Sequence, residues 1–443
     1  MSVPGKRAER EKFNRNGVIV ETTMTFARLE TILQDACQTD STFSNASAER
    51  IGVMQGFLSR IVRVRLEWSA PSRQTAAAEE ERSLPDSVVL KVPSIKNFAE
   101  FVEDRQSLKD NGEPRRPAEK FSTVNAPSVT TVSGLHNSEC AFYRFTAGQE
   151  RHLRTPHVYY IEEAQPEKNQ TGLMVMEDFS DRGYVKNFWD VAELPLLKEV
   201  VATLAALHAL TLHDRSWLDN PNLKTTIALL YAKEPNEESH AIEAAMFAAL
   251  RRHPQHIPPH LVDKYEENPR QLQPLDEYAN AHEELGMPAV LVHGDCRISN
   301  LILQKDKAGQ ERLVALLDWQ MTHPGSVAED LARFLCSSAD AATRRRHTTA
   351  LLEYYYECLG KECQRLGDPT PFTLEQVKES YRRVFKHGVM FIAPGAPMMV
   401  ESEAALAPAQ NADSAKEAMV RNAGHLFREL ELLETEATTP WEE

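Results

Sequence analysis

Between the apolar runs VLV (290–292) and LIL (301–303) lies the octet HGDCRISN, residues 293–300. It presents a carboxylate, Asp295, and an amide, Asn300, at the edge of segments suited to burial. LILQ and RLVALL have strand texture, and KDKAGQE joins them with Gly309 at its centre, the pattern of a β-hairpin. Folded antiparallel about Gly309, Asn300 and Asp318 stand nine residues from the turn on either side, so they are expected to meet at its open mouth. Asp295 lies one short loop before Asn300. Two carboxylates and an amide carbonyl at one point suit Mg²⁺, a hard cation held by one or two carboxylates plus substrate phosphates. A carboxylate is also what accepts the proton of a hydroxyl that attacks a phosphoryl group. Asn300 and Asp318 are therefore the candidate metal ligands, and Asp295 faces the hydroxyl. A lone H-G-D is commonly a turn former or a cap. The D-x4-N step followed by a hairpin ending in Asp is far more specific.

The N-terminal half holds candidate nucleotide-binding residues. Lys91 lies within the strand VVLKVP, where an ammonium is costly to bury unless paired. Glu139, on the helical stretch HNSECAFYRF, is its candidate partner, the strand-Lys and helix-Glu pair that kinases use at the α- and β-phosphates. Taken alone, a lysine on a strand is commonplace. Gly52 and Gly56 precede a strand in IGVMQGFLSRIVRV without a G-x-G-x-x-G pattern, and suit a plain β-turn as well as a cover over phosphates. Glu177, in VMEDF, ends a strand at a lobe boundary, where backbone groups could pair with a nucleotide base.

The positioning elements follow from periodicity. Residues 1–22 read as a flexible tail. TFARLETILQDACQ has helical spacing, with Phe26, Leu29, Ile32 and Leu33 on one face. FLSRIVRVRLEW, PDSVVLKVPS, HVYYIEEA and LMVMEDFS read as strands, and the stretch from Asp104 to Gly134 as a loop. From Leu194 onward helices dominate, and the hairpin beside the octet is the one strand pair expected there. The expected division is a nucleotide-binding lobe at 23–179 and a catalytic, acceptor-binding lobe at 180–443.

A formal charge of −15 argues against nucleic acid as a partner, since phosphate backbones call for excess Lys and Arg. No run of eighteen apolar residues suggests a membrane span. The basic N-terminus has no apolar stretch behind it and does not read as a secretory signal. The six cysteines are scattered without a C-x-x-C pair, which disfavours zinc and disulfides and fits a cytoplasmic setting. Cys296 reads as a small filler, because no His base accompanies it.

Together these residues resemble the aminoglycoside phosphotransferase and choline kinase superfamily. Within it the likeness is to the animal CHK kinase-like, ecdysteroid kinase-like group with its nematode members. The resemblance runs from about Phe26 to Leu432 and rests on IGVMQGFLSRI, VVLKV, LHNSECAFY, VLVHGD with Asn300, LLDWQ and HPGSVAEDLARFL. It implies an α+β, bilobal protein-kinase-like fold, with a small β-rich N-terminal lobe and a larger, mainly helical C-terminal lobe. It implies ATP and Mg²⁺ as cofactors, Asp295 as catalytic base, Asn300 and Asp318 as metal ligands, and Lys91 with Glu139 at the phosphates. DWQ stands where protein kinases have DFG, with Trp319 in packing. His293 would orient the loop, Asp330 would cap a helix or hold the catalytic loop, and His208 would be a satisfied buried histidine.

Two departures stand out. Relatives usually have Leu-Trp after HGD, where this chain has Cys296-Arg297. Arg297 could meet a phosphate, an acidic acceptor or solvent. Met54-Gln55 replaces smaller or more polar residues between the first glycines. The expected activity is ATP- and Mg²⁺-dependent phosphorylation of a hydroxyl on a small molecule, such as a sterol, glycoside, choline-like or xenobiotic acceptor. The alternatives are a kinase-fold binding protein without catalysis and a protein kinase. The missing H-R-D arginine, D-F-G and A-P-E speak against the last.

Overall fold

The computed structural model describes residues 14–52, 58–69, 84–95, 128–224, 237–267, 280–400, 411–435 and 439–441. Helix α1 (Phe26–Cys37) starts at Thr25, whose side chain accepts the Arg28 N–H as an N-cap. Its apolar stripe, Phe26, Leu29, Ile32 and Leu33, is buried as its spacing predicts. That stripe shares one core with an antiparallel sheet. The sheet holds β1 (Phe43–Ile51), β2 (Ser59–Trp68), β3 (Ser87–Pro93), β4 (Val158–Glu162) and β5 (Leu173–Glu177), in the order β1-β2-β3-β5-β4. β2 alternates as a half-buried strand should, with Val62, Val64 and Leu66 inward.

Three features differ from expectation. β1, FSNASAERI, was not read as a strand: it is an edge strand that buries only Phe43, Ala46 and Ala48, set among polar residues that stay exposed or half-buried, so its apolar signal is faint. Residues 14–22, expected in a flexible tail, are packed, because Ile19 is fully buried in the same core and Val18 bridges Thr25. Helix α2 (Val129–Phe145) begins inside the stretch expected as a loop, at Ser128, whose side chain caps Thr131 N–H.

The C-terminal region is mainly helical. Its described long helices include α3 (Leu194–His213), α4 (Glu329–Ser338), α5 (Ala341–Leu366), α6 (Leu374–Ile392) and α7 (Ala412–Thr435). Together with the inner side of α2 they enclose the larger apolar core. α3 is long and apolar enough to cross a membrane by length and composition alone. It is 67% buried within the fold, and Leu197, Val200, Val201 and Leu204 are wholly enclosed, as in a core helix.

Two small antiparallel pairs interrupt the helices. β6 (Val290–Val292) pairs with β9 (His323–Gly325), a pair the sequence did not reveal, and β7 (Leu301–Lys305) pairs with β8 (Glu311–Leu316). The hairpin register also departs from a simple fold about Gly309. Lys305 faces Glu311, which centres the turn on Ala308, and Leu303 faces Leu313 but Leu301 faces Leu316, so Val314 is an extra residue on β8, a β-bulge that makes up one of the two residues lost. Asn300 therefore accepts the Leu317 N–H at 2.8 Å and lies opposite Leu317, not opposite Asp318.

Candidate active site

Lys91 sits in β3, across from Ile61 on β2 and Met174 on β5. Only 7% of it is exposed. Its ammonium donates to Glu139 Oε2 at 2.5 Å and to Asp318 Oδ1 at 2.6 Å. Burial works against that charge, but the carboxylates of Asp318 and Glu139 outweigh it and hold the proton more tightly than in a free lysine. One ammonium thus ties the five-stranded sheet, helix α2 and the exit of the β7–β8 hairpin together.

Trp319 explains how α2 meets the hairpin. Its indole stacks on Phe142 of α2, centroids 3.8 Å apart and planes 9° apart, and its Nε1–H donates to Leu316 O at 3.0 Å. Glu139 is three residues before Phe142, on the same side of the helix, and so reaches the Asp318 side of the junction. Asp318 itself adopts φ 67° and ψ 60°, the left-handed region that aspartate tolerates better than most residues. This conformation turns the chain sharply out of the ladder one residue beyond Leu317, the residue opposite Asn300.

The octet is held from beneath. Gly294 has φ +79°, and a Cβ there would collide with Met321 O, so glycine is required. The Asp330 carboxylate accepts the His293 N–H at 2.6 Å and the Gly294 N–H at 2.9 Å. Of the two roles open to Asp330, the structure assigns the loop, because Ala328 occupies the N-cap of α4. Burial would raise the Asp330 carboxyl, yet His208 and His293 keep it below the usual range. His208 is fully buried, with Nδ1 2.8 Å from Tyr355 Oη. His293 links the octet to the hairpin: Nε2–H donates to Leu317 O at 2.9 Å, and Nδ1 accepts the Asp295 N–H at 3.2 Å.

Asp295 is 7% exposed. Arg333 Nη2 donates to its Oδ1 at 2.5 Å, and Arg297 Nε lies 3.2 Å from its Oδ2 without hydrogen-bond alignment. Burial opposes the charge, but Arg297 and Arg333 together lower the carboxyl to about 2. Asn300 Nδ2 donates to Asp295 O at 2.9 Å and to Oδ2 at 3.2 Å, which leaves its carbonyl Oδ1 for a cation.

The structure thus brings Lys91, Glu139 and Asp318 into contact, and Asp295 with Asn300. Gly52 ends β1 with φ +63°, and its neighbour Ile61 is the β2 partner of Lys91. Gly56 lies outside the described residues. Glu177 is about 10 Å along β5 from the residue facing Lys91. It forms an ion pair with Arg182, and its carboxylate and N–H are both engaged by His157. Cys296 is buried and its thiol is pushed up by burial, as a filler's would be.

Arg333 went unread in the sequence. Its signal was present: one guanidinium three residues after Asp330 on a helix whose Leu331, Ala332, Phe334 and Leu335 are all buried.

The DUF1679 family profile, described as "Uncharacterized oxidoreductase dhs-27", matches residues 14–435. The Caenorhabditis elegans protein named "Uncharacterized kinase-like protein D1044.1" is 28% identical over 278 residues, 60% of this chain and 69% of that protein. A second Caenorhabditis elegans protein, "Uncharacterized oxidoreductase dhs-27", is 23% identical over 360 residues, 77% of this chain. The chain spans only 38% of that second relative's length. Among solved structures, choline kinase from Cryptosporidium parvum Iowa II overlaps with a TM-score of 0.42 at 12% identity, over 88% of this chain and 91% of that one.

Proposed function

We propose, taking as premise that the chain belongs to the DUF1679 family, that it is a phosphotransferase moving a phosphoryl group from ATP to a hydroxyl of a small molecule. The observation that carries this reading is the single ammonium of Lys91 held between Glu139 and Asp318, beside the Asp295–Asn300 pair. Lys91 would hold the phosphates, with Glu139 keeping the ammonium in place. Asp318 and Asn300 offer hard oxygen donors of the kind Mg²⁺ takes, and the Asn300 amide already turns its Nδ2 away toward Asp295. When bound, the ion neutralises charge on the transferring group.

Asp295 would orient the acceptor hydroxyl and take its proton. Its two arginine neighbours make it a weak base, so orientation is its larger contribution. A loose phosphoryl-transfer transition state asks for little proton removal before the bond to the leaving group lengthens. The six cysteines form no disulfide, which suits the reducing cytoplasm in which we place the protein.

The oxidoreductase name of one relative finds no support in this chain. Dinucleotide folds use a parallel sheet and a Gly-rich turn. Every sheet pairing among the described residues is antiparallel, and the sequence holds no G-x-G.

The test is Mg²⁺-dependent ATP consumption by the full chain across sterols, glycosides, choline and amino sugars, read as a mass shift of the acceptor. A phosphorylated acceptor, lost in Asp295→Asn, is the expected outcome. Nucleotide binding with no turnover on any acceptor would instead favour a kinase-fold binding protein.

A further inference from the structure

We infer that Arg333 is a positioning residue of this site: it pins one oxygen of Asp295 so that the other alone is presented to the acceptor hydroxyl. The catalytic consequence rests on the phosphotransferase reading above, whereas the hold on Asp295 rests on geometry.

A guanidinium on a buried helix is costly unless it is paired with good geometry. The Arg333 side chain is 7% exposed, and its Nη2 sits 2.5 Å from Asp295 Oδ1. The helix that carries it touches the HGDCRISN segment at three levels. Asp330 takes the N–H groups of His293 and Gly294, Arg333 takes the Asp295 carboxylate, and Ser338 Oγ accepts the Ile298 N–H at 2.9 Å. α4 therefore splints the backbone on both sides of Asp295 and the side chain itself.

The splint is anchored in turn on α6. Gly388 of α6 lies so close to Ala332 that a Cβ there would approach Ala332 O to 2.8 Å, and Ser326 Oγ, just before α4, is hydrogen-bonded to Ser380 Oγ. Asp330 and Ser338 bind the backbone of the loop. Arg333 adds something different, the rotamer of Asp295. With Oδ1 taken by Arg333, Oδ2 is the oxygen left for a hydroxyl, steadied by Asn300 Nδ2 at 3.2 Å and with Arg297 Nε 3.2 Å away but not aligned to donate to it. A carboxylate free to turn by one rotamer would misplace the acceptor by an ångström or more, and such an error can cost about a hundredfold in rate.

The test compares Arg333→Met and Arg333→Lys with the wild-type full chain. Arg333→Met is expected to lower Mg²⁺-dependent ATP turnover about a hundredfold while the dissociation constant for Mg·ATP stays within about twofold. Arg333→Lys, which keeps the charge but loses the fork, is expected to recover about tenfold of that loss. Wild-type turnover in Arg333→Met, or affinity lost in step with turnover, overturns the inference. If Arg333→Met fails to fold, wild-type turnover in Arg333→Lys overturns it equally. A crystal structure of the folded variant decides the point without any assay. An Asp295 carboxylate turned from its wild-type rotamer supports the inference, and one left unmoved refutes it. Absence of turnover in the wild-type chain would sink the phosphotransferase reading, and the crystal structure would still judge whether Arg333 holds Asp295.

Discussion

Asp318 and Asp295 each lie two or three residues beyond a short strand of the same region, and each meets a cation, but the two carboxylates are held in different ways. Asp318 has a quarter of its side chain exposed and is paired with Lys91, which arrives from the separate N-terminal sheet. Asp295 has a tenth exposed and is paired with Arg333 from the adjoining helix and Arg297 two residues on. Lys91 divides one ammonium between two carboxylates, so under the proposed function it would trade one partner for a phosphate oxygen. Arg333 lies beneath a loop whose backbone α4 has already fixed. Exchange suits the end of the site that the proposed function gives to the nucleotide. A fixed carboxylate suits the end that the proposed function gives to the acceptor hydroxyl.

The sharpest way to break this comparison is Asp295→Asn. Turnover should fall by about a thousandfold or more with Mg·ATP affinity intact; a variant that keeps a tenth of wild-type turnover would remove Asp295 from the chemistry. Next in size is Asp318→Ala. It should abolish the gain in nucleotide affinity that Mg²⁺ confers, measured by titrating nucleotide with and without the ion. Tight Mg·ATP binding by that variant would mean the ion is held elsewhere.

Lys91→Met should weaken ATP binding by about tenfold and lower stability by about 3 kcal/mol, because it strands Glu139, which is 1% exposed, without its cation. Denaturant unfolding would measure the loss, and adding Glu139→Gln should recover part of it. No recovery would show that the two groups are not energetically coupled.

The last expected effect is on pH dependence, leaves the site untouched at neutral pH, and tests α2. Burial lowers the His136 ring to about 4, while its Nε2 lies 2.9 Å from Glu162 O. A histidine in the unfolded chain titrates near 6.5. Between those values the unfolded chain binds the proton and the folded chain does not. His136 therefore destabilises the fold as pH drops from about 6.5 toward about 4, by at most about 1.4 kcal/mol per pH unit. Above that window it has no such effect. Melting temperatures of the wild type and His136→Gln from pH 7 to 4 should converge in the variant's favour at the acid end, and parallel curves would contradict this.

Much of the site was legible because its residues stand out against their surroundings. Lys91 is a charge in an apolar strand, and Asp295 and Asn300 interrupt two apolar runs. Such placements need a chemical reason. β1 was missed because an edge strand with alanines inward has almost no periodic signal. The hairpin pointed to the right neighbourhood, but its register was off by one: Lys305 faces Glu311, which centres the turn on Ala308 and not Gly309, and the bulge at Val314 restores only one of the two residues this costs. Arg333 escaped because a lone arginine on a helix is ordinarily solvated, and only the apolar residues around it, Leu331, Ala332, Phe334 and Leu335, marked this one as lying inside.

The order of residues along the chain was enough to settle which chemical groups exist and which segments could frame them: an ammonium in β3, a glutamate on a helix, and an H-G-D with an amide five residues on. These are matters of residue type and short-range spacing, which covalent geometry dictates. Only the folded structure decided who meets whom. It brought Lys91 to Asp318 across 227 positions and Arg333 to Asp295 across 38, and bent Asp318 into a left-handed turn. Those pairings depend on how separate helices and sheets pack, and packing is a property of the whole core.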